Sequence, residues 1–351
     1  MATLSFTCDY CEGAHPEVLK RLAETNMEQH QGYGDDPYTR SAVQRIRQAA
    51  GCPEAEVFLT VGGTQTNATV IDAMLPHYEA VLCADTGHIA VHESGAVELA
   101  GHKVIALPAT AGKLSATTVQ DYLQAFYADP TWPHMAHPGM VYISFPTEYG
   151  TIYSRAELDA MVQVCRCYNM PLYIDGARMA YGLATPAADI TLPELAARCD
   201  AFYLGGTKCG ALCGEAVVFP RGNAPKNFFT IVKQHGALLA KGRLLGLQFD
   251  TLMADGLYLS LGRHADELAA MLRRGMEQLG IEFYIDSPTN QQFPILEPRH
   301  RQALEGRVLY EVWQELPGGR AVTRFATSWA TTADAVQQLL SLLSNPAAEA
   351  R

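Results

Sequence analysis

The chain has 351 residues, of which 48% are hydrophobic and 18% are charged, a balance typical of a globular protein and not of a disordered one. Acidic residues outnumber basic ones by 37 to 26, and with a formal charge of -11 the chain lacks the basic excess that is typical of nucleic-acid-binding proteins. The sequence has no apolar run long enough to span a membrane and no secretory signal pattern at its start. These features predict a cytoplasmic protein that binds neither nucleic acid nor membrane.

Nine cysteines occur singly or in loose pairs, as is typical of a reducing compartment and not of a disulfide scaffold. Cys8 and Cys11 form a C-x-x-C motif. A zinc or redox site built on such a motif needs a second pair or a βαβ unit nearby, and the sequence offers neither. We therefore predict no redox site here and no metal site in the chain.

Short, nearly continuous apolar runs predict seven buried strands. They span residues 56–60, 81–85, 103–107, 141–145, 171–175, 201–204 and 216–219. Helical patterns at 68–78, 119–127 and 155–168 lie between several of these runs. Strands that alternate with helices predict an α/β fold, in which a mainly parallel central sheet is covered by helices on both faces.

The pattern changes after about residue 245, where it becomes that of a smaller α+β domain. We predict helices at 262–279 and 301–315, and strands at 282–285, 292–296 and 322–327. The predicted domains are therefore a large one at residues 1–245 and a small one at residues 246–351. We expect about the first 20 residues to pack on the small domain.

Three motifs fall at the ends of predicted strands, the edge at which open parallel sheets bind ligands. The first is GGTQTN at residues 62–67, which opens a helix. Glycines let backbone N–H groups approach a phosphate, and the helix dipole favours the anion. The motif matches neither the P-loop nor the dinucleotide fingerprint. A capped turn without a ligand explains it better when it is considered alone.

The second and third motifs carry an acid and an amine. Asp175 ends an apolar strand and could keep the pyridine nitrogen of pyridoxal 5'-phosphate (PLP) protonated, although a helix cap explains it equally well. Lys208 follows two glycines at the end of the next strand, where a poorly solvated amine could form an imine. A surface or phosphate-binding lysine is the alternative. The three motifs in this order predict a PLP enzyme.

The order and spacing of these motifs resemble those of the L-threonine aldolases, in the β-eliminating lyase group of fold-type-I PLP enzymes. The similarity spans nearly the whole chain. It is strongest in GYGDDP at 32–37, GTQ at 63–65, HIAVHE at 88–93, DGAR at 175–178 and GGTK at 205–208. The resemblance implies a PLP-dependent transferase-like fold and a homo-oligomer, a dimer or a tetramer, whose sites are completed by a neighbouring subunit.

The resemblance also implies which residues bind the cofactor. Lys208 would bind PLP covalently, and Asp175 would pair with its ring nitrogen. The phosphate and ring contacts would come from Gly63, Thr64, Gln65 and His88, of which His88 would stack on the ring.

Further residues would bind substrate or complete the cofactor site. Arg178 and Arg324 would hold the substrate carboxylate as bidentate donors, with Arg178 also near the cofactor. A salt bridge at the rim of the site is the alternative for Arg324. Arg243 stands where the family often has a basic residue that reaches phosphate, sometimes across a subunit boundary. Tyr33 and Asp35 would approach the substrate, or else stabilise a glycine-rich turn.

Two departures from the family pattern concern the substrate side chain. Glu148 stands where many threonine aldolases have a histidine that faces the substrate hydroxyl, and Cys8 stands where a serine is usual. We predict that both contact substrate. The base that accepts the hydroxyl proton could be Glu148, His88, His92 or a water, and a carboxylate could serve only with a raised pKa.

The sequence therefore predicts a retro-aldol enzyme. Its substrate would be a β-hydroxy-α-amino acid of the threonine or allo-threonine type, cleaved to glycine and an aldehyde. Other PLP reactions on the same scaffold, such as β-elimination, transamination or racemisation, are the nearest alternatives. A non-catalytic protein that binds a phosphate ligand is an alternative from a different class.

Overall fold

The computed structural model describes residues 3–344. The strands are, in chain order, β1 (Leu4–Ser5), β2 (Glu56–Thr60), β3 (Glu79–Ala84), β4 (Val104–Leu107), β5 (His137–Ser144), β6 (Leu172–Asp175), β7 (Ala201–Gly205), β8 (Glu215–Phe219), β9 (Gln291–Gln292), β10 (Ile295–Leu296), β11 (Val308–Leu309), β12 (Glu311–Glu315) and β13 (Ala321–Ala326). The α-helices are α1 (Pro16–Glu24), α2 (Pro37–Ala49), α3 (Gly63–Met74), α4 (His88–Val91), α5 (Ala96–Leu99), α6 (Ala116–Ala128), α7 (Arg155–Cys167), α8 (Met179–Ala184), α9 (Leu192–Ala196), α10 (Phe228–Gln234), α11 (Arg243–Leu252), α12 (Leu257–Gln278), α13 (Pro298–Leu304) and α14 (Ala333–Ser344). Within this range we find no helix with both the length and the apolar surface that a membrane crossing requires.

Seven strands form the central sheet in the order β2-β8-β7-β6-β5-β3-β4. Strand β8 is antiparallel to both of its neighbours, whereas all other neighbours pair in parallel. The mainly parallel sheet predicted from the sequence is therefore confirmed, and each of the seven predicted runs overlaps one of its strands.

The central sheet is buried on both faces, which explains why its strands are nearly continuous apolar runs. In β3, Leu82 and Ala84 belong to the core cluster on one face, whereas Val81 and Cys83 belong to the cluster on the other. Because successive side chains of a strand point to opposite faces, only a run of apolar residues satisfies both clusters.

A third core cluster lies among the C-terminal elements. Strands β10, β13 and β12 form a small antiparallel sheet, with β9 also paired to β13. The cluster joins α12, α13 and α14 to this sheet and includes Phe6 from the N-terminal segment, whose ring lies 6.2 Å from that of Phe325. Strand β1 pairs in parallel with β11. A domain boundary near residue 245 stays a prediction.

Two predicted elements of the C-terminal region are wrong. The helix predicted at 301–315 ends at Leu304, because Gly306 has a φ of 68° and the aromatic and β-branched residues after it form β11 and β12. The strand predicted at 282–285 is reduced to one isolated bridge between Phe283 and Pro294. Helix α14 and strand β1 were not predicted.

Candidate active site

A cavity of about 390 Å³ lies at the carboxyl ends of β5, β6 and β7. This is the edge at which open parallel sheets bind ligands. The predicted site residues that line it are Gly63, Thr64, His88, His92, Glu148, Asp175, Arg178 and Lys208. The structure therefore brings the three sequence motifs into one space.

Lys208 follows β7 shortly after two glycines, Gly205 and Gly206, that leave no room for a Cβ. A Cβ at Gly205 would lie 2.2 Å from the carbonyl oxygen of Ala177. The Tyr181 hydroxyl donates to the Lys208 carbonyl at 2.5 Å and holds the turn. Lys208 Nζ lies 5.7 Å from the centre of the Tyr10 ring and has no hydrogen-bond partner among residues 3–344. Burial, aided by the charge of Arg178, lowers the pKa of this amine. Lys208 is thus a poorly solvated amine with a free nitrogen.

Asp175 is buried at the end of β6 and accepts hydrogen bonds on both carboxylate oxygens. Tyr203 donates to Oδ1 at 2.5 Å, while Tyr142 and Asn67 donate to Oδ2 at 2.6 and 2.9 Å. Burial alone would raise the pKa of Asp175, but the nearby His88 ring and the hydrogen bonds from Tyr142 and Tyr203 lower it. The group is therefore a carboxylate that can stabilise a nearby cation. Sequence reasoning missed its three side-chain donors.

The first turn of α3 supplies anion-binding groups. Its N-cap is Gly62, which has no side chain to occupy the first free N–H groups of the helix. Gly62, Gly63 and Thr64 line the cavity. A Cβ at Gly63 would lie 3.2 Å from the Tyr203 hydroxyl, so the turn lies close to the groups that hold Asp175. The side chain of Gln65 donates instead to the carbonyl of His235 at 3.0 Å, outside the cavity lining.

His88 is oriented by a buried carboxyl group that the sequence prediction missed. Its Nδ1 lies 2.7 Å from Glu93 Oε1, which also accepts a hydrogen bond from Asn67 at 2.7 Å. Burial raises the pKa of Glu93. Because Nδ1 is engaged, Nε2 is the ring nitrogen of His88 available to the cavity. Glu93 ends the HIAVHE motif, and Asn67 ends the GGTQTN motif. Their positions inside motifs already assigned to the site were the sequence signal that could have identified them.

Glu148 presents one engaged and one free carboxylate oxygen. Its Oε1 accepts hydrogen bonds from Ser144 Oγ at 2.7 Å and from the backbone N–H of His88 at 2.9 Å. Its Oε2 has no hydrogen-bond partner among the described residues, and the side chain lines the cavity. Burial raises the pKa of Glu148 above the ordinary glutamate value. The group can therefore accept a proton at a pH closer to neutrality than an exposed glutamate.

Glu215 is a second buried carboxyl group near Lys208. It begins β8, lines the cavity and accepts a hydrogen bond from the backbone N–H of Gly206 at 3.0 Å. Burial raises its pKa to about 8. Sequence reasoning missed this residue, because a polar residue at the start of a strand gives no sign of which site it will face.

Arg178 is buried and paired with Asp9, a residue that was not among the predictions. Its Nε and Nη2 donate to the two oxygens of Asp9 at 2.7 and 3.0 Å, and Asn290 donates to the same carboxylate at 2.9 Å. Burial opposes ionisation of Asp9, but the charges of Arg178 and Lys208 lower its pKa to about 2. Asp9 therefore orients the guanidinium and leaves Nη1 without a partner in residues 3–344.

Asp9→Asn is expected to lower the free energy of unfolding by about 3 kcal/mol, because it leaves the buried charge of Arg178 without its counter-ion. Since the pKa of Asp9 is depressed, the stabilising contribution is fully present above the ordinary aspartate pKa, and the difference should be equal at about pH 6 and about pH 8. Urea unfolding measures it. Asp35→Asn is the matched control, since the exposed pair of Asp35 with Arg40 contributes less than about 1 kcal/mol. Equal effects of the two substitutions would contradict this account.

Arg324 lies near the cavity but does not line it. Its guanidinium donates to Gln291 and to the carbonyl of Thr7, both at 3.2 Å, and is ion-paired with Glu311. Burial and the neighbouring charge of Arg178 lower its pKa. The two predicted carboxylate-binding arginines are thus neighbours, although Arg324 is engaged by Glu311. Its contact with substrate stays a prediction.

Four other predicted residues lie outside the cavity lining. Cys8 lies beside Cys11, with 3.1 Å between the sulfur atoms. Tyr33 is exposed beneath the amine of Lys233, Asp35 pairs with Arg40, and Arg243 donates to the carbonyl of Thr25 at 2.9 Å. Within a single subunit, these residues are not brought to the candidate site.

Comparison with known proteins establishes the family. The model of the β-eliminating lyase family matches residues 6–340. The chain belongs to this family. A threonine aldolase from Leishmania major superimposes with a TM-score of 0.94 at 38% identity, covering 98% of this chain and 100% of that one. The low specificity L-threonine aldolase of Pseudomonas aeruginosa is 29% identical over 340 residues, 96% of each chain. The resemblance to threonine aldolases is therefore confirmed.

More distant structures support the fold alone. An aspartate aminotransferase variant from Thermus thermophilus has a TM-score of 0.70 at 15% identity, covering 98% of this chain and 91% of that one. These comparisons confirm the fold-type-I prediction. As a member of the β-eliminating lyases, the protein is a PLP-dependent lyase.

The cavity fits PLP on grounds of its own chemistry. A free, poorly solvated amine at Lys208 suits the aldehyde, and the Asp175 carboxylate suits a protonated ring nitrogen. The uncapped N–H groups at Gly63 and Thr64 suit the phosphate. The assignment of each contact to its residue stays a prediction.

Proposed function

We propose that this PLP-dependent lyase cleaves β-hydroxy-α-amino acids of the threonine type to glycine and an aldehyde. The observation that carries the proposal is one cavity shared by the Lys208 amine, the Asp175 carboxylate, the Arg178 guanidinium and the free oxygen of Glu148. The relatives named above as threonine aldolases support this choice of substrate.

Each side chain has a task that follows from its atoms. Arg178 binds the substrate carboxylate through Nη1, since Nε and Nη2 each donate to Asp9. PLP, when held by Lys208 with its ring nitrogen on Asp175, supplies an electron sink. Glu148 Oε2 accepts the proton of the β-hydroxyl, while Ser144 and the His88 N–H hold Oε1 in place. Loss of that proton turns the hydroxyl into the aldehyde carbonyl as the Cα–Cβ bond breaks.

A panel of amino acids tests the reaction type. With threonine and allo-threonine, the PLP-loaded enzyme should release glycine and acetaldehyde in equal amounts. Serine and an α-keto acid acceptor serve as probes for β-elimination and transamination. Ammonia and keto acid as the sole products would overturn the aldolase proposal while leaving the PLP chemistry intact.

Glu148→Gln tests the proposed base. The amide cannot accept the proton, so kcat for threonine should fall by about 100-fold or more, with a smaller change in KM. Because the pKa of Glu148 is raised, wild-type kcat/KM should decline with falling pH at a pH above the ordinary glutamate range. That decline should be absent in the variant.

Ser144→Ala is the companion variant for Glu148→Gln, since it removes one hydrogen bond to Oε1 and keeps the carboxylate. A variant of Gln291 would not serve, because the Gln291 side chain donates to the Glu148 backbone and not to its carboxylate. Ser144→Ala should shift the acid limb of the pH profile to higher pH without abolishing it. An unchanged acid limb in Glu148→Gln would assign the proton to another group, with His88 first in line.

We also propose that the enzyme is a cytoplasmic homo-oligomer, a dimer or a tetramer. Tyr33, Asp35 and Arg243 belong to the site by family resemblance but lie outside the cavity lining of their own subunit, so a neighbouring subunit is where they would act. Nine free cysteines fit a reducing compartment. Sedimentation of the PLP-loaded protein tests the assembly, and a fully active monomer would contradict it.

A further inference from the structure

A second cluster of titratable side chains lies at the opposite edge of the central sheet. Asp72 lies near the end of α3, His77 precedes β3, and His102 precedes β4. One ligand atom from each residue lies within 4.8 Å of the other two. Because β3 and β4 are parallel, their amino ends lie at the edge away from Asp175. The cluster is therefore separate from the candidate active site.

His102 has a buried ring nitrogen without a hydrogen-bond partner among the described residues. The residue is 1% exposed, and its Nδ1 lies 3.0 Å from the carbonyl oxygen of Glu79. A carbonyl only accepts, so Nδ1 carries the proton and Nε2 of the neutral ring carries a lone pair. That Nε2 is buried without a hydrogen-bond partner and lies 3.5 Å from Asp72 Oδ1. A metal cation between Nε2 and Oδ1 would give both atoms a partner.

The distance between these atoms suits a metal ion. In a tetrahedral zinc site with bonds of about 2.0–2.1 Å, neighbouring ligand atoms lie about 3.3–3.4 Å apart. The Nε2–Oδ1 separation of 3.5 Å is close to that value. Hydrogen bonding to Glu79 fixes the orientation of the His102 ring, as such bonds do for metal-binding histidines.

The remaining residues complete the set. His235 Nε2 lies 2.8 Å from Asp72 Oδ2, which orients the carboxylate and leaves Oδ1 for a ligand. His77 is exposed, and its ring stacks near that of His102 with 6.2 Å between centres. Its ligand atom lies within 4.8 Å of those of Asp72 and His102.

We propose that Asp72, His77 and His102 bind a divalent transition-metal ion of the zinc class. Two imidazoles and one carboxylate suit Zn²⁺, Co²⁺ or Ni²⁺, and water would complete the coordination. The ion would join α3, which carries the predicted phosphate-binding turn, to the segments that enter β3 and β4. The sequence prediction of no metal site relied on cysteine spacing and did not consider histidines this far apart in the chain.

Zinc binding to the PLP-loaded enzyme tests the proposal. After removal of metals with a chelator, titration in competition with a chromophoric chelator should give one zinc ion per chain. His77→Ala and Asp72→Asn should each weaken binding by about 100-fold or more, and His235→Gln by about tenfold. His77 is exposed, so its variant should fold normally. Cobalt substitution should give d–d absorption bands without a thiolate charge-transfer band.

Two controls identify the ligands. His134→Ala removes another exposed histidine and should leave zinc affinity unchanged. Cys8→Ser with Cys11→Ser removes the paired sulfurs, the other natural zinc ligands, and should also leave it unchanged. Zinc binding that is lost in the cysteine variant and kept in His77→Ala would overturn the proposal. Absence of stoichiometric binding would also overturn it and indicate an ion pair between a protonated His102 and Asp72 instead.

Discussion

Lys208→Ala is expected to lower kcat for threonine cleavage by more than about 1,000-fold and to abolish covalent attachment of PLP. The Lys208 amine is a free nitrogen in the cavity, and burial lowers its pKa so that the neutral, nucleophilic form is accessible. Alanine keeps the backbone turn, including the Tyr181 contact with the carbonyl at position 208. The loss of activity should therefore occur without loss of folding.

Three measurements check the Lys208 prediction. Borohydride reduction of PLP-loaded wild type, followed by peptide mass mapping, should place the pyridoxyl adduct on Lys208. The variant should show no adduct and no cofactor absorbance after gel filtration. Lys226→Ala is the matched control, since Lys226 is exposed and distant in sequence from the site motifs, and it should behave as wild type. Substantial activity of Lys208→Ala with bound cofactor would refute the assignment.

The parts of the site that could be predicted from the sequence are those that lie on regular elements. Asp175 ends β6, and Lys208 lies three residues after the end of the neighbouring strand β7. The carboxyl ends of parallel strands meet at one edge of the sheet. The proximity of the two residues therefore follows once the strands are recognised. The apolar runs identified those strands because both faces of the sheet are buried.

The parts that could not be predicted depend on contacts between distant segments. Asp9 lies in an irregular N-terminal segment, 169 positions from its partner Arg178. No local pattern relates the two, and only the packing of the N-terminal segment on the sheet edge brings them together. The pairing of Arg324 with Glu311 is a similar case, because it arises between β13 and a strand, β12, that was predicted as helix. Residues 305–315 illustrate the limit, since Gly306 and the aromatic and β-branched residues after it were the local signs that the helix stops.

Asp175→Asn is expected to lower kcat by about 100-fold or more while PLP still binds covalently. The carboxylate has a lowered pKa, so it is ionised throughout the working pH range and can hold a proton on the ring nitrogen. An amide of the same shape is neutral and cannot do this. The amide also has one acceptor oxygen, whereas the carboxylate has two that accept hydrogen bonds from Tyr203, Tyr142 and Asn67. At least one of these donors therefore loses its acceptor.

The state of the ring nitrogen distinguishes an electrostatic role of Asp175 from a merely structural one. With ¹⁵N-labelled PLP, the NMR shift of the ring nitrogen should be that of a protonated pyridine in wild type and of a neutral one in Asp175→Asn. Tyr203→Phe removes one donor but leaves the carboxylate, so it should cost only about tenfold in kcat and keep the nitrogen protonated. If Asp175→Asn kept a protonated nitrogen, its effect on rate would come from the disturbed network, and Tyr203→Phe should then reproduce most of it. If the buried carboxylate acts electrostatically, kcat should fall from wild type to Tyr203→Phe and further to Asp175→Asn. The ring nitrogen should lose its proton only in Asp175→Asn.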